Sequence, residues 1–184
     1  MQVMGIVGLP GSGKSEAAAV ADELGIPVVT MGDVIRAECR DRGLETTEDN
    51  LGRVATNLRE ENGPGAIAER SLPLIEDRLT EHDVVLVDGI RSDVEVAAFE
   101  EAFGDAFTLV SIEAPFETRL ERIRERGRDE TAEDRADLEA RDEREIGYGM
   151  GRAMDEADVR VDNTGSLATF HARIRELLEP TTDT

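Results

Sequence analysis

Apolar positions along the chain follow two alternating rhythms. Short, nearly continuous aliphatic runs predict strands over residues 3–7, 27–30, 84–87, 107–112 and 159–162. Between them, apolar residues recur at helical spacing. Helices are expected over about 14–24, after Ser92, from Pro115 to about Gly127, and over 167–178 behind a Ser166 cap. Ser92 and Glu95 form a capping-box signature in S-D-V-E, and Pro115 suits a first helical turn. The run V-V-L-V before Asp88 carries no polar break, as expected of a strand covered on both faces. Strands alternating with helices predict βα units around a parallel sheet. No repeat or low-complexity linker divides the 184 residues, so a single domain over 1–184 is expected. Two stretches exceed simple crossovers. Residues 33–82 have room for three helices and residues 115–152 for two. Ligands of open α/β sheets sit outside the carboxyl ends of the strands, so helical insertions there would form flaps over a site.

Composition sharpens this picture. Apolar residues make up 39% and aromatics only 3%, so the core must be aliphatic. The formal charge is −21, far beyond the magnitude of roughly 2–8 that suits a small soluble domain. Self-repulsion on this scale needs the short screening length of concentrated salt, about 3 Å near 1 M. The acid excess runs through the whole chain, which fits adaptation to a salt-rich (halophilic) cytoplasm better than a docking tail for a basic partner. Nucleic-acid binding is disfavoured, because phosphate backbones need a basic face. No apolar run reaches the length of a membrane span, and no export signal precedes the first strand. Cys39 is the lone cysteine, so no intramolecular disulfide or Cys-rich zinc site forms; it reads as a bystander in a reducing compartment.

Of the basic residues only Lys14 is a lysine. It stands in Gly8-Leu9-Pro10-Gly11-Ser12-Gly13-Lys14-Ser15, a full G-x-x-x-x-G-K-[ST] match between a predicted strand and a predicted helix. Glycines let the backbone turn several N–H groups onto one anion, and the helix N-terminus adds partial positive charge. Lys14 can reach β- and γ-phosphates, and the Ser15 hydroxyl can ligate Mg²⁺. The motif therefore predicts an ATP-binding cradle. A guanine-reading N-K-x-D loop needs a second lysine, so a GTPase switch is disfavoured.

Asp88 closes its aliphatic run beside the cradle strand. It can hold the Mg²⁺ shell, directly or through water, or simply cap a turn. T-M-G-D-V-I-R (residues 30–36) follows the second strand. Asp33 there can orient an attacking hydroxyl and accept its proton, or N-cap the next helix. Arg36 can fork an acceptor phosphate or form a surface pair. In R-L-E-R-I-R-E-R-G-R (residues 119–128), Arg119, Arg122 and Arg126 share one helical face. That row can clamp a transferring phosphoryl group; the alternative is a solvated helix laced by pairs such as Glu121–Arg124 and Glu125–Arg128. Arg141 and Arg144 are weaker candidates. His82 and His171 are isolated and read as structural.

T-M-G-D-V-I-R resembles the acceptor-side motif of adenylate kinases, and D-G-I-R (residues 88–91) resembles their D-G-x-P-R motif without its proline. A-D-V-R-V-D-N-T-G-S (residues 157–166) resembles the last strand and turn of dephospho-coenzyme A kinases. The arginine helix resembles the hinge of a nucleotide-kinase lid. Over about residues 1–179 the chain is most similar to an uncharacterised archaeal family of P-loop proteins grouped with those kinases. The resemblance implies a three-layer P-loop fold with a five-stranded parallel sheet in the order 2-3-1-4-5. It also implies an acceptor-binding insertion over 33–82 and a lid over 115–152. It implies that Arg36 and Arg91 hold the acceptor's phosphate, and that Asn163 and Gly165 lie near the donor base. The expected function is ATP- and Mg²⁺-dependent phosphoryl transfer to a small metabolite such as a nucleotide, nucleoside or coenzyme precursor. Lys14, Asp33, Arg122 and Arg126 are the expected catalytic residues. The alternative is a nucleotide-gated regulatory ATPase that binds a protein partner.

Overall fold

A computed structural model of the chain describes residues 1–126 and 135–179. Five parallel strands form one sheet in the order β2-β3-β1-β4-β5. They are β1 (Gln2–Val7), β2 (Val28–Thr30), β3 (Val84–Asp88), β4 (Phe107–Glu113) and β5 (Val159–Asp162). The order and fold class are those expected. Register aligns Val7 with Ser111, Thr30 with Asp88 and Glu113 with Asp162. Every strand therefore delivers its carboxyl end to one edge of the sheet.

Pleat periodicity divides the core into two layers. On one face, Val3, Val7, Val85 and Val87 pack with Val34, Leu58, Ile75 and Phe99. These come from α2 (Met31–Asp41), α3 (Glu48–Asn62), α4 (Ala66–Leu79) and α5 (Asp93–Phe103), with Met150 and Ala153 of α8 (Met150–Asp155) joining them. On the other face, Met4, Ile6, Leu86, Val110 and Ile112 meet α1 (Lys14–Glu23) and α9 (Leu167–Leu178). Phe170, Ile174 and Leu178 recur every fourth residue, so α9 buries one stripe. Ser166 caps it by accepting the Thr169 N–H at 3.2 Å, and Ser92 likewise accepts the Glu95 N–H at 3.3 Å ahead of α5. Cys39 is buried in the first layer, an apolar packing element as expected.

Three details depart from the sequence reading. The region 115–152 holds α6 (Phe116–Arg126), α7 (Arg135–Gly147) and α8 rather than two helices, because Gly149 at φ 109° interrupts the path between α7 and α8. Asp33 is not an N-cap: α2 starts at Met31 behind the extended Thr30, and Asp33 lies inside its first turn. The arginines of α6 reach across the fold rather than along their own helix, as described below. The parts of the arginine segment beyond Arg126, including Arg128 and the Glu125–Arg128 pair, lie outside the described residues, as does the tail 180–184.

Candidate active site

The loop after β1 is built from its own backbone and from two neighbouring segments. Gly13 has φ 120° and packs against the Asn163 amide and Phe170, so a side chain there would meet both. That close approach lets Asn163, just past β5, donate from Nδ2 to the Ser12 carbonyl at 2.8 Å. Arg122 donates to the Asn163 carbonyl at 2.6 Å and to the Ser12 carbonyl at 3.4 Å. Arg119 is 3% exposed. It donates to the carbonyls of Pro10 and Ala114 and forks both oxygens of Asp142 on α7, at 2.9 and 2.6 Å. Its guanidinium also lies 5.4 Å from the Phe116 ring centroid. Arg119 is thus buried and fully engaged by the protein itself, whereas Arg122, also bonded to protein carbonyls, stays partly exposed.

Lys14 donates to the carbonyls of Gly8 and, at 3.3 Å, Leu9. Burial lowers its pKa from 10.5; nearby Asp88 and Glu145 oppose that shift, while Arg91 and Arg119 add to it. The ammonium is therefore held in a place that penalises its charge. Ser12 carries the other unresolved polarity: its hydroxyl is buried without a hydrogen-bond partner among the described residues. Such an orphan costs roughly 1–3 kcal/mol and calls for an explanation. Ser12 and Lys14 both stand on the glycine-rich segment after β1.

Beside this loop lies a cavity of about 350 Å³ lined by Gly13, Arg122, Arg126, Asn163, Gly165 and Leu167, with Glu16 and Glu125 at its side. Arg126 pairs with Glu16 at 3.5 Å, and Glu16 also meets His171 at 3.1 Å, a surface role for that histidine. Asn163, Gly165, Arg122 and Arg126 are thus brought together next to the cradle. For a cation, the hard oxygen donors at hand are the exposed Ser15 hydroxyl at the start of α1 and the Asp88 carboxylate at the end of β3. No group of three or more His, Cys, Asp or Glu side chains converges among the described residues. A hydroxyl plus one carboxylate suits Mg²⁺, which keeps waters and takes further oxygens from bound phosphates.

A second cleft, of about 610 Å³, opens at the same edge of the sheet. α2 contributes Ile35 and Arg36, α3 contributes Leu51, Ala55 and Arg59, and the segment after β3 contributes Arg91 and Ser92. Each of its arginines already faces a carboxylate. Arg36 bonds Asp33 at 2.6 Å, Arg91 bonds Glu145 of α7 at 2.8 Å, and Arg59 meets Glu95 at 3.3 Å. Glu95 is 1% exposed and also accepts the Arg91 backbone N–H at 2.8 Å. The capping-box glutamate therefore reaches one residue farther back than usual and fixes the D-G-I-R turn. The structure brings Arg36 and Arg91 to the wall of one cleft, while exposed Asp33 lies outside its lining and pairs with Arg36. Of the weaker arginine candidates, both lie on α7, and Arg144 bonds the Ala140 carbonyl within its own helix.

Sequence reasoning missed Arg59, Glu145, Asp142 and Tyr148. The capping box marked Glu95, but not its place in the cleft wall. Arg59, Glu145 and Asp142 carry no local signal, because each acquires its partner from an element far along the chain.

Comparison with known proteins places this architecture. A UPF0200 protein of Halobacterium salinarum is 60% identical over 178 residues, covering 97% of this chain and 93% of that protein. The UPF0200/UPF0201 protein of Archaeoglobus fulgidus is 52% identical over 178 residues, covering 97% of this chain and 55% of that one. Among solved structures, TT1252 from Thermus thermophilus superposes with a TM-score of 0.66 at 20% identity, over 96% of each chain. A shikimate kinase from Bacteroides thetaiotaomicron gives 0.58 at 14% identity over 96% of this chain and 98% of that one. A gluconokinase from Sinorhizobium meliloti gives 0.54 at 18% over 96% and 93%. At these identities the structural likeness speaks for the fold alone. Residues 7–137 match the family described as AAA domain. The chain belongs to the UPF0200 family and, over residues 7–137, to the AAA domain family.

Proposed function

We propose that this protein is an ATP-dependent phosphotransferase acting on a small metabolite, as a distant relative of adenylate and dephospho-coenzyme A kinases. The observation that carries the reading is the pairing of two sites at one sheet edge. One is a backbone loop with a half-buried, desolvated lysine and a buried hydroxyl that lacks a partner among the described residues; the other is an arginine-lined cleft beside it. Likeness in fold to a gluconokinase and a shikimate kinase supports phosphoryl transfer to small molecules as the general chemistry.

On this reading Gly8 to Ser15 hold the triphosphate of ATP, with Lys14 between its β- and γ-phosphates. Asn163 and Gly165 face the base side, in the cavity beside Gly13. Ser15 and Asp88 hold Mg²⁺, which when bound offsets phosphate charge. Residues 33–82 form the acceptor-binding insertion and 115–152 the lid. Arg36 and Arg91 exchange their carboxylate partners, Asp33 and Glu145, for the acceptor's anionic group. Asp33 orients the acceptor hydroxyl and takes its proton. That oxygen bonds to the γ-phosphorus while the bond from γ-phosphorus to the bridging oxygen breaks, leaving ADP. Arg122 and Arg126 balance the charge that develops, and the closed lid keeps water from competing as acceptor. A salt-rich cytoplasm is the setting this reading implies.

Incubation with ATP, Mg²⁺ and a broad acceptor panel in concentrated KCl tests it. A phosphorylated product is expected. Slow ATP hydrolysis alone, across the whole panel, overturns the assignment. A second reading, a nucleotide-gated ATPase that binds a protein partner, draws on the AAA match. It predicts that same hydrolysis together with nucleotide-dependent capture of a macromolecule.

A further inference from the structure

On the reading that the loop after β1 receives the phosphates of ATP, we propose that Glu16 is a specificity-determining residue for the donor nucleotide. Its carboxylate accepts a hydrogen bond from a ribose hydroxyl, so a ribonucleotide is selected over its deoxy counterpart. Glu16 follows Lys14 and Ser15 directly, and its N–H closes the first turn of α1 on the Gly13 carbonyl at 3.0 Å. The residue is half-buried and lines the cavity of about 350 Å³ together with Gly13, Asn163 and Gly165.

A carboxylate at this place works against phosphate binding. The start of α1 offers N–H groups and partial positive charge to an anion, and a negative side chain one residue past Ser15 opposes that attraction. Two elements far along the chain nevertheless hold it there. His171 of α9 meets Oε2 at 3.1 Å through Nε2, and Arg126 of α6 meets Oε1 at 3.5 Å. Docking of α9 on α1 has its own basis, since Phe170 and Ile174 share an apolar cluster with Ala17 and Val20. The polar tie is therefore to be explained by what it does for Glu16.

An ionised carboxylate has about four acceptor sites and no donor. One bond from His171 and one long contact with Arg126 leave acceptor capacity facing the cavity. In a nucleotide the sugar is the group next to the phosphates, and a ribose presents hydroxyl donors. Of the two carboxylates that line this cavity, Glu16 is contiguous with the loop, whereas Glu125 belongs to α6. A hydroxyl missing from the ligand leaves the carboxylate without that partner, which is how a polar site rejects a deoxy analogue.

The test uses full-length protein in molar KCl without Mg²⁺, so that calorimetry reads binding alone. ADP, 2′-deoxy-ADP and 3′-deoxy-ADP share base and phosphates and differ by one hydroxyl. At least one deoxy analogue is expected to bind about tenfold more weakly than ADP. Glu16→Ala should erase that difference and leave the deoxy analogue bound at least as tightly as before, because a negative charge beside the phosphates is gone. Glu16→Gln keeps an acceptor without the charge and should retain part of the difference. A purely structural role would weaken all three ligands together. The proposal is overturned if the three bind the native protein equally, if Glu16→Ala weakens them alike or leaves the difference in place, or if Glu125→Gln erases it instead. Inosine 5′-diphosphate, which lacks the amino group of adenine, tests the base: a Glu16-dependent loss there with none at the sugar also overturns it. ADP bound without discrimination removes this proposal alone. A protein that binds none of the diphosphates removes the nucleotide-binding loop and this proposal with it. Discrimination by a protein that transfers no phosphoryl group keeps this proposal and removes the phosphotransferase reading.

Discussion

The cradle and the cleft sit at one edge of the same sheet and are built in opposite ways. The cradle is eight consecutive residues whose shape comes from backbone turns. It is braced by the buried side chains of Arg119, on the Pro10 carbonyl, and Asn163, on the Ser12 carbonyl, and by half-buried Arg122 on that same carbonyl. The cleft is assembled from α2, α3, the turn after β3 and the end of α7. Its cations are held by ion pairs, two of them substantially exposed. A fixed anion that every donor nucleotide shares suits the first construction. A replaceable one suits the second, because exposed pairs contribute little and can change partners cheaply.

The sharpest way to break this contrast is Lys14→Ala. It should reduce ATP affinity on the order of a hundredfold or more, read by calorimetry, with the circular dichroism spectrum of the native fold retained. Unchanged affinity would remove the cradle from the account. Next comes Arg119→Ala, which strips a buried pair and leaves Asp142 uncompensated. A loss of about 3–5 kcal/mol is expected in urea titrations, whereas Arg36→Ala should cost under about 1 kcal/mol because its pair with Asp33 is exposed. Equal losses would erase the distinction between brace and replaceable partner.

Salt gives a broader effect. With a charge of −21, the melting temperature should climb steeply from low to molar KCl, and a flat profile would contradict the screening argument.

The smallest effect concerns protons at Lys14. Burial lowers its pKa in the fold, so the unfolded chain holds more protons between that lowered value and the ordinary 10.5. The buried ammonium's penalty is fully present below the lowered pKa and is relieved as pH rises toward 10.5. A bound polyphosphate would push the pKa back up, so ATP binding should take up protons in that alkaline window and weaken as pH rises through it. Calorimetry in two buffers of different ionisation enthalpy should show the uptake. Proton release there would reverse the assigned electrostatics.

How much was legible beforehand follows the same division. Lys14 and its glycines could be read directly, since a motif of consecutive residues constrains its own backbone. The central strands β1 and β3 were equally plain, because a parallel strand buried on both faces must be aliphatic nearly throughout. Arg122 read as one of a row of phosphoryl-clamping arginines, and the fold carries it to the Ser12 and Asn163 carbonyls; Arg119, one turn away, gave no sign that Asp142 would claim it. Arg59 looked like any charged residue on a polar helix, and Tyr148 like a surface residue near a helix end.

Periodicity already determined the fold class, and the glycine-rich motif already marked the turn after β1. These properties depend on neighbours within a few residues or on the chain as a whole. The tertiary structure alone decided which carboxylate meets which arginine, and which aromatic ring lines the cleft. Those choices depend on contacts between positions dozens of residues apart, such as Arg91 with Glu145 or Asn163 with Ser12. Spacing along the chain carries no record of them.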